Sequence, residues 1–174
     1  EQPMLINSKF GQFCLVTAGL IENKEQLARD FMHKGGSFSE AGKDGVNVTE
    51  LIAKLICQGT SIIDGIEKMF SMINGSCSLL LLHKDGIYAA RDRRGYTPLV
   101  LAKKESNWAI ALESSAFPNL GYQIYKYLQP GEIILLTEKG PVSKRGGGKT
   151  NQICSFLWIY TGFPSSNYEG VNAE

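Results

Sequence analysis

The sequence predicts an α+β layered domain, and three features of it point that way. Apolar residues recur at helical spacing between Glu22 and Ile73. From Ser76 onward the period shortens, and short apolar runs alternate with turn residues. At 174 residues the chain has the length of one domain, enough to bury about 70% of its unfolded surface in a single core. Helices followed by many antiparallel strands, with no internal repeat, make an α+β layered arrangement.

Composition narrows the function classes. Lysine plus arginine (18) nearly balances aspartate plus glutamate (17), which gives no electrostatic case for nucleic acid or an anionic membrane as a partner. A hydrophobic share of 43% and a charged share of 20% are ordinary for a soluble globular protein. No apolar run approaches the roughly 20 residues that cross a bilayer. The start EQPMLINSKF lacks a basic leader and a hydrophobic signal core, and the absence of Met at residue 1 suggests a fragment. Cys14, Cys57, Cys77 and Cys154 are far apart with no C-x-x-C pair, and Cys14 and Cys77 fall inside apolar runs. Reduced, buried thiols in a cytoplasmic protein are expected.

Glu1 to Ser8 reads as an extended lead-in, and Gln12 to Thr17 as a buried strand that stops at Ala18-Gly19. Glu22 to Lys34 places Leu27, Ala28 and Phe31 on one stripe, with acidic residues early and Lys34 late, and Gly35-Gly36 ends this helix. Ser37 to Gly45 is a polar, glycine-containing loop. Asn47 to Glu50 resembles a capping box that opens the helix TELIAKLICQ, whose buried face is Leu51, Ile52, Leu55 and Ile56. Ser61 with Asp64 starts a third helix, with Ile62, Ile66 and Phe70 inward and Ile63 and Ile73 beside them. The short Gly59-Thr60 link makes the two helices adjacent and antiparallel.

Cys77 to His83 is almost continuously apolar, as expected of a strand covered on both faces, and Lys84-Asp85-Gly86 turns it into the next strand. Ile87 to Ala90, the charged segment Arg91 to Gly95, and Leu99 to Ala102 read as a hairpin with a basic tip. Asp92 stands between Arg91 and Arg93-Arg94, placed to hold a guanidinium in a bidentate pair. Further strands are expected at Trp108 to Leu112, Gln123 to Tyr127 and Glu132 to Thr137. The last two are joined by the Gln129-Pro130-Gly131 turn, and Lys139-Gly140 makes another reversal. Lys144 to Lys149 is too glycine-rich for either regular element and reads as a mobile surface loop. Its Gly148-Lys149-Thr150 tail fits a P-loop, but the first glycine of that motif would fall on Ser143, and no strand–loop–helix context surrounds it. Ile153 to Tyr160 reads as an aromatic strand, broken by Gly162 to Ser166.

The order of short motifs carries a resemblance. R-D-x-x-G-x-x-P-L at Arg91 to Leu99 is followed by E-[ST]-x-A-[FL] at Glu113 to Phe117, G-Y at Gly121-Tyr122 and P-G-E-[IL] at Pro130 to Ile133. Next come ICSFLWIY, Pro164-Ser165-Ser166 and Glu169-Gly170-Val171-Asn172. This sequence resembles the class II glutamine amidotransferase domain of amidophosphoribosyltransferases, a family of amino-terminal-nucleophile hydrolases, along nearly the whole chain. The resemblance implies a four-layer αββα sandwich, incomplete at its N-terminus. Residues 1–152 would form part of the glutaminase domain, and 153–174 would be the junction into an absent phosphoribosyltransferase domain. The implied reaction belongs to purine nucleotide biosynthesis: glutamine supplies the ammonia that displaces pyrophosphate from phosphoribosyl pyrophosphate, giving phosphoribosylamine.

The resemblance also locates the chemistry. Family members attack glutamine with an amino-terminal cysteine. This sequence begins Glu1-Gln2-Pro3, so no catalytic nucleophile is expected within it, and the piece alone is expected to be inactive. The family's oxyanion-hole Asn-Gly pair corresponds to Ala18 and Gly19. Gly19 keeps the backbone donor, while Ala18 lacks the side-chain amide. The aspartate that binds the substrate's α-amino group corresponds to Val48, ahead of Thr49 and Glu50. Glutamine binding is therefore expected to be weakened or lost. Arg91, Asp92, Gly95, Glu113 and Ser114 would be structural residues near the site, with Arg91-Asp92 a buried pair and Arg93-Arg94 turned toward a neighbouring domain or subunit.

Cys154 matches a position at which some members ligate an iron–sulfur cluster, with the other ligands in the following domain. The resemblance implies an iron–sulfur cluster and Mg as cofactors to look for in the full-length protein, and no cofactor is expected in this piece. The expected partner is the protein's own phosphoribosyltransferase domain, in a homo-oligomer. His33 reads as a surface residue at a helix end, His83 as structural, and Cys14 and Cys77 as core. Two other readings stay open. One is a non-catalytic glutaminase-like packing or regulatory module. The other is the glutaminase half of glucosamine-6-phosphate synthase, which the ICSFLWIY and EGVNAE stretches fit less well.

Overall fold

The strands and helices fall where the apolar periods change, and how they associate decides the site. The computed structural model describes residues 2–39, 41–42 and 45–172; parts of the 37–45 loop and of the EGVNAE stretch lie outside the described residues. In chain order the elements are β1 (Met4–Ser8), β2 (Gly11–Ile21), α1 (Lys24–His33), β3 (Ala41–Gly42), β4 (Gly45–Val46), α2 (Val48–Ile56), α3 (Ile62–Met72) and β5 (Gly75–His83). They continue with β6 (Gly86–Ala90), β7 (Val100–Lys104), β8 (Asn107–Ala111), β9 (Gln123–Tyr127), β10 (Ile133–Thr137), β11 (Gly140–Arg145), β12 (Asn167–Tyr168) and β13 (Val171–Asn172).

A six-stranded antiparallel sheet runs β1-β2-β5-β6-β10-β11, and a three-stranded antiparallel sheet runs β8-β7-β9. Strand alternation sends the two faces of the large sheet to different cores. Phe13, Leu15, Leu79, Leu81, Tyr88, Ala90, Ile133 and Leu135 meet Leu27, Leu51, Ile52, Leu55, Ile56, Ile66 and Met69 of the helices. Their neighbours Ala89, Ile134 and Leu136 meet Leu99, Leu101 and Leu128 on the other side. Val100 and Ala102, on the outer face of the small sheet, are covered by Phe117, which sits between two short 3-10 turns at Ser114–Ala116 and Pro118–Leu120. The described residues thus stack as α, β, β under a cap of short turns, and the second helical layer of an αββα sandwich is not among them.

The helices follow the sequence closely. Asn47 caps α2 by accepting from the Thr49 and Glu50 N–H groups, and Ser61 caps α3 through the Asp64 N–H. Leu51, Ile52, Leu55, Ile56, Ile62, Ile66 and Phe70 are all buried, while Phe31 is only half-buried. Glu50 is buried and accepts from the Ser39 N–H and hydroxyl at 2.8 and 3.0 Å, tying the loop before β3 to α2. The two helices touch closely: a Cβ on Gly65 would sit 2.1 Å from the Ile56 carbonyl oxygen.

Several strand expectations are corrected. The residues flanking the basic segment do not form a hairpin, because β6 lies between β5 and β10 in the large sheet and has no free edge for β7. Arg91 to Leu99 therefore crosses between sheets, as does Gln129-Pro130-Gly131, since β10 is likewise flanked by β6 and β11. The lead-in is an edge strand, β1, paired from Met4↔Leu15 to Ser8↔Gly11. β2 does not stop at Ala18-Gly19 but pairs with β5 as far as Ile21↔Gly75. Lys144 and Arg145 belong to β11, so the glycine loop begins two residues later, at Gly146.

The last correction falls on Ile153 to Tyr160, which is helical rather than extended: Ser155 and Phe156 begin a turn that continues as a π-helix over Leu157–Thr161. The Gly162 N–H reaches the Leu157 carbonyl at 2.7 Å, and the Phe156 and Tyr160 rings stack at 4.8 Å, a contact that i, i+4 spacing provides on a helix and not on a strand. β5 is covered on both faces for most of its length, but Leu82 near its end is exposed. The four cysteines are free; Cys77 is buried, and Cys14, Cys57 and Cys154 are half-buried rather than core.

Candidate functional site

The end of β2 borders two hollows. The first, of about 340 Å³, is lined by Gln2, Gly19, Lys24 and the start of α2 at Asn47, Val48 and Thr49. It is built from the strand outward. Gln2 acts as an extra strand partner for Thr17, accepting its N–H at 2.7 Å and donating to its carbonyl at 3.0 Å. The Thr17 and Thr49 hydroxyls lie 2.9 Å apart and pin the strand to α2. Gly19 and Val48 thereby come to one hollow from residues 29 apart in sequence, with the Ala18 side chain on the far side of the strand. Gly19 has φ +147°, and a Cβ there would lie 2.1 Å from the Ser76 carbonyl oxygen, so no larger residue fits without moving β5.

The second hollow, about 870 Å³ and mostly apolar, has Ala18, Gly19 and Leu20 on one side and Tyr96, Thr97 and Pro98 of the crossover on another. Glu113 lies at its margin, and Cys154, Phe156, Phe163 and Tyr168 close it. Ala18, Gly19, Glu113 and Cys154 are therefore brought together, whereas Val48 faces the first hollow.

The crossover that walls this hollow is held by two buried ionic side chains that do not pair with each other, contrary to the sequence expectation. The Asp92 carboxylate accepts the backbone N–H groups of Arg94, Tyr96 and Thr97 at 3.0, 3.2 and 2.8 Å. Its own N–H goes to the Ser78 hydroxyl at 3.0 Å, and that hydroxyl lies 2.9 Å from the Thr97 carbonyl. Arg91, 1% exposed, donates to the carbonyls of Leu128 (2.5 Å) and Gly95 (2.7 Å), to the Asn151 side chain (3.3 Å) and to the carboxylate of Glu169. Its Nε is the one buried side-chain nitrogen or oxygen without a hydrogen-bond partner among the described residues. Asp92 is better served by local N–H groups that the tight loop leaves otherwise unpaired, and Arg91 reaches away from it to acceptors far along the chain. Gly95 takes φ +79° at the bend, and Arg93 and Arg94 are exposed.

Glu113 is held by hydroxyls. It accepts from Ser115 (3.0 Å), Ser166 (2.6 Å) and Tyr168 (2.5 Å), while the Ser114 hydroxyl accepts the Asn167 N–H at 2.6 Å. Burial pushes the Glu113 carboxyl up, but these hydrogen bonds and one from the Phe163 N–H outweigh it and hold the group below its ordinary range. Burial and the Glu113 contact push the Tyr168 phenol well above its ordinary value. Burial, with the Asp92 charge behind it, pushes the Cys77 thiol to about 12, which suits a core residue and not a nucleophile. His83 is buried between the Phe10 carbonyl (3.0 Å) and Asp85 (3.1 Å), and His33 is exposed at the end of α1.

Sequence reasoning missed Asn151, Ser166, Tyr168 and Glu169 as partners of Arg91 and Glu113. Separations of 53 to 78 residues leave no local signal for such pairs. Among the described residues no group of three or more His, Cys, Asp or Glu side chains is placed to hold a metal. No helix among the described residues is long and apolar enough to cross a membrane.

The chain is similar to known proteins in sequence and in fold. Residues 1–119 match the family described as "Glutamine amidotransferase domain". The chain is 26% identical, over 98% of its length, to an amidophosphoribosyltransferase of Methanocaldococcus jannaschii, and 29% identical, over 99%, to that of Bacillus subtilis. It covers 40% and 36% of those two proteins, so it spans about two fifths of the curated relatives it matches. Among solved structures, the glutamine phosphoribosylpyrophosphate amidotransferase of B. subtilis complexed with ADP and GMP superposes over 99% of this chain and 38% of its own, at TM-score 0.86 and 28% identity. A structure described as the allosteric regulatory enzyme of purine biosynthesis superposes over 99% of this chain and 37% of its own, at TM-score 0.87 and 28% identity. Shared sequence motifs, shared fold and the residue 1–119 match agree: the chain belongs to the glutamine amidotransferase domain family, with amidophosphoribosyltransferases among its relatives.

Proposed function

We propose that this chain is the glutaminase-type domain of an amidophosphoribosyltransferase-like protein of purine biosynthesis, with a glutamine site altered at two positions. In the parent protein, ammonia displaces pyrophosphate from phosphoribosyl pyrophosphate to give phosphoribosylamine, and glutamine hydrolysis to glutamate is the ordinary source of that ammonia. The observation that supports this reading is that Gly19, which matches the family's backbone donor, and Val48, which matches its ammonium-binding aspartate, line one hollow, while Ala18, which matches the family's amide, lines the neighbouring one. A missing oxyanion donor costs a factor of about 100 to 1,000 in rate. Valine in place of a carboxylate leaves a substrate ammonium unpaired, at a cost of several kcal/mol if it is desolvated. The scaffold around these positions is nevertheless intact, from the Thr17–Thr49 contact to the Asp92 loop.

The same reading places the protein in the cytoplasm as a homo-oligomer, makes the fold the amino-terminal-nucleophile sandwich, and makes the chain's own phosphoribosyltransferase domain its partner. Magnesium would serve the phosphoribosyl site, and an iron–sulfur cluster would draw on Cys154 as one thiolate of four. The two altered positions also favour a second reading, a non-catalytic module retained for packing or regulation. Phosphoribosylamine formation by the full-length protein, with glutamine and then with ammonium, separates them. Turnover with glutamine means that other groups replace the Ala18 and Val48 functions; turnover with ammonium alone means a retained scaffold on a working transferase; turnover with neither removes the enzyme reading.

A further inference from the structure

The wall of the larger hollow formed by residues 153–168 is attached to the domain at its two ends by polar contacts. At the start, the Gln152 N–H reaches the Arg94 carbonyl at 2.8 Å, and Asn151 accepts from Arg91. At the far end, four consecutive residues engage the body. Ser166 and Tyr168 donate to Glu113, the Asn167 N–H goes to Ser114 while its carbonyl accepts from the Tyr127 hydroxyl at 2.9 Å, and Glu169 pairs with Arg91. Between these ends Phe156, Ile159, Tyr160 and Phe163 are 61–73% exposed.

We infer that residues 153–172 form a latch over the hollow that holds Ala18 and Gly19, with Glu113 and Arg91 as its two receivers, so that release of Ser166–Glu169 opens the hollow and loosens the crossover in one event. The coupling follows from Arg91. The same guanidinium that holds Glu169 also holds the Gly95 carbonyl, and the crossover bent there supplies Tyr96, Thr97 and Pro98 to the hollow. Releasing Glu169 leaves a fully buried cation, already short of a partner at Nε, without its carboxylate, and its other contacts must rearrange. The latch therefore has two coupled positions, attached and released. Displacement of Ser166–Glu169 therefore acts directly on the hollow beside Gly19. The inference stands whether or not glutamine binds.

Hydrogen exchange followed by mass spectrometry on the full chain tests this, with Glu169→Gln and the milder Tyr168→Phe, and with maleimide labelling of Cys154 as a second readout. Both variants are expected to speed exchange in residues 163–172 and 94–98 by about tenfold or more, and to speed Cys154 labelling, while the β5–β6 ladder keeps its wild-type protection. If Glu169→Gln does not fold, Tyr168→Phe decides alone. Unchanged exchange in 163–172, acceleration there without 94–98, or acceleration in step with the β5–β6 ladder would each overturn the latch.

Discussion

Replacing Asp92 with alanine should remove the carboxylate that organises the crossover. That side chain is 1% exposed and accepts three backbone N–H groups, from Arg94, Tyr96 and Thr97. A hydrogen bond to a charged group is worth about 1.5–3 kcal/mol, and a buried donor left unpaired costs about 1–3 kcal/mol. Thr97 is buried and Tyr96 half-buried, so two of the three donors lose their acceptor with little access to water, while the Arg94 N–H is close enough to the surface to be hydrated. Part of the loss is offset because a buried charge no longer has to be desolvated. The net loss should be about 4 kcal/mol, near the upper end of single-substitution effects.

In a chain of this size about 4 kcal/mol corresponds to a fall in Tm of roughly 8–16 °C. Urea unfolding followed by circular dichroism measures it, with Arg93→Ala in the same loop as the control. Arg93 is exposed, and its side chain donates a long 3.4 Å hydrogen bond to the Phe70 carbonyl, so its loss should stay within about 0.5 kcal/mol. An Asp92→Ala loss below about 1 kcal/mol, or one no larger than that of Arg93→Ala, would refute the view that backbone donors converging on this carboxylate hold the crossover.

Two further outcomes follow from the titrating groups. Because Glu113 is held below its ordinary value near 4.5, its contribution to stability is complete above that value and is lost as pH falls through the folded one; the stability gap between wild type and Glu113→Gln should be constant from about pH 6 to 8 and should close in acid. A gap that widens in acid would show that hydroxyl donation does not hold the carboxylate. With the Cys77 thiol raised to about 12, iodoacetamide near neutral pH should modify half-buried Cys14, Cys57 and Cys154 while Cys77 reacts only on global unfolding, as peptide mapping would show; early Cys77 labelling would contradict its burial.

Much of this protein is written in local spacing. Asn47 and Ser61 cap helices because their side chains reach N–H groups two or three residues away, and Leu51, Ile52, Leu55 and Ile56 share a face because a helix turns every 3.6 residues. Ala18, Gly19 and Val48 came forward only through the family resemblance, and the structure adds that Gly19 and Val48 line one hollow. Strand pairing was not legible. Whether Val100 returns beside Ala90 or crosses to a second sheet depends on which edges β5 and β10 already occupy, and that is settled by chain segments tens of residues away. The helical turn at Leu157–Thr161 escaped for a related reason, since a short aromatic run fits strand and helix equally by period.

The partners of Arg91 mark the boundary most clearly. The sequence by itself determined that a charged R-D pair sits at the end of an apolar strand. Only the tertiary structure decided that Asp92 turns to its own loop while Arg91 crosses to Leu128, Asn151 and Glu169, because a buried charge takes the acceptors that packing brings within reach and not the ones nearest in the chain.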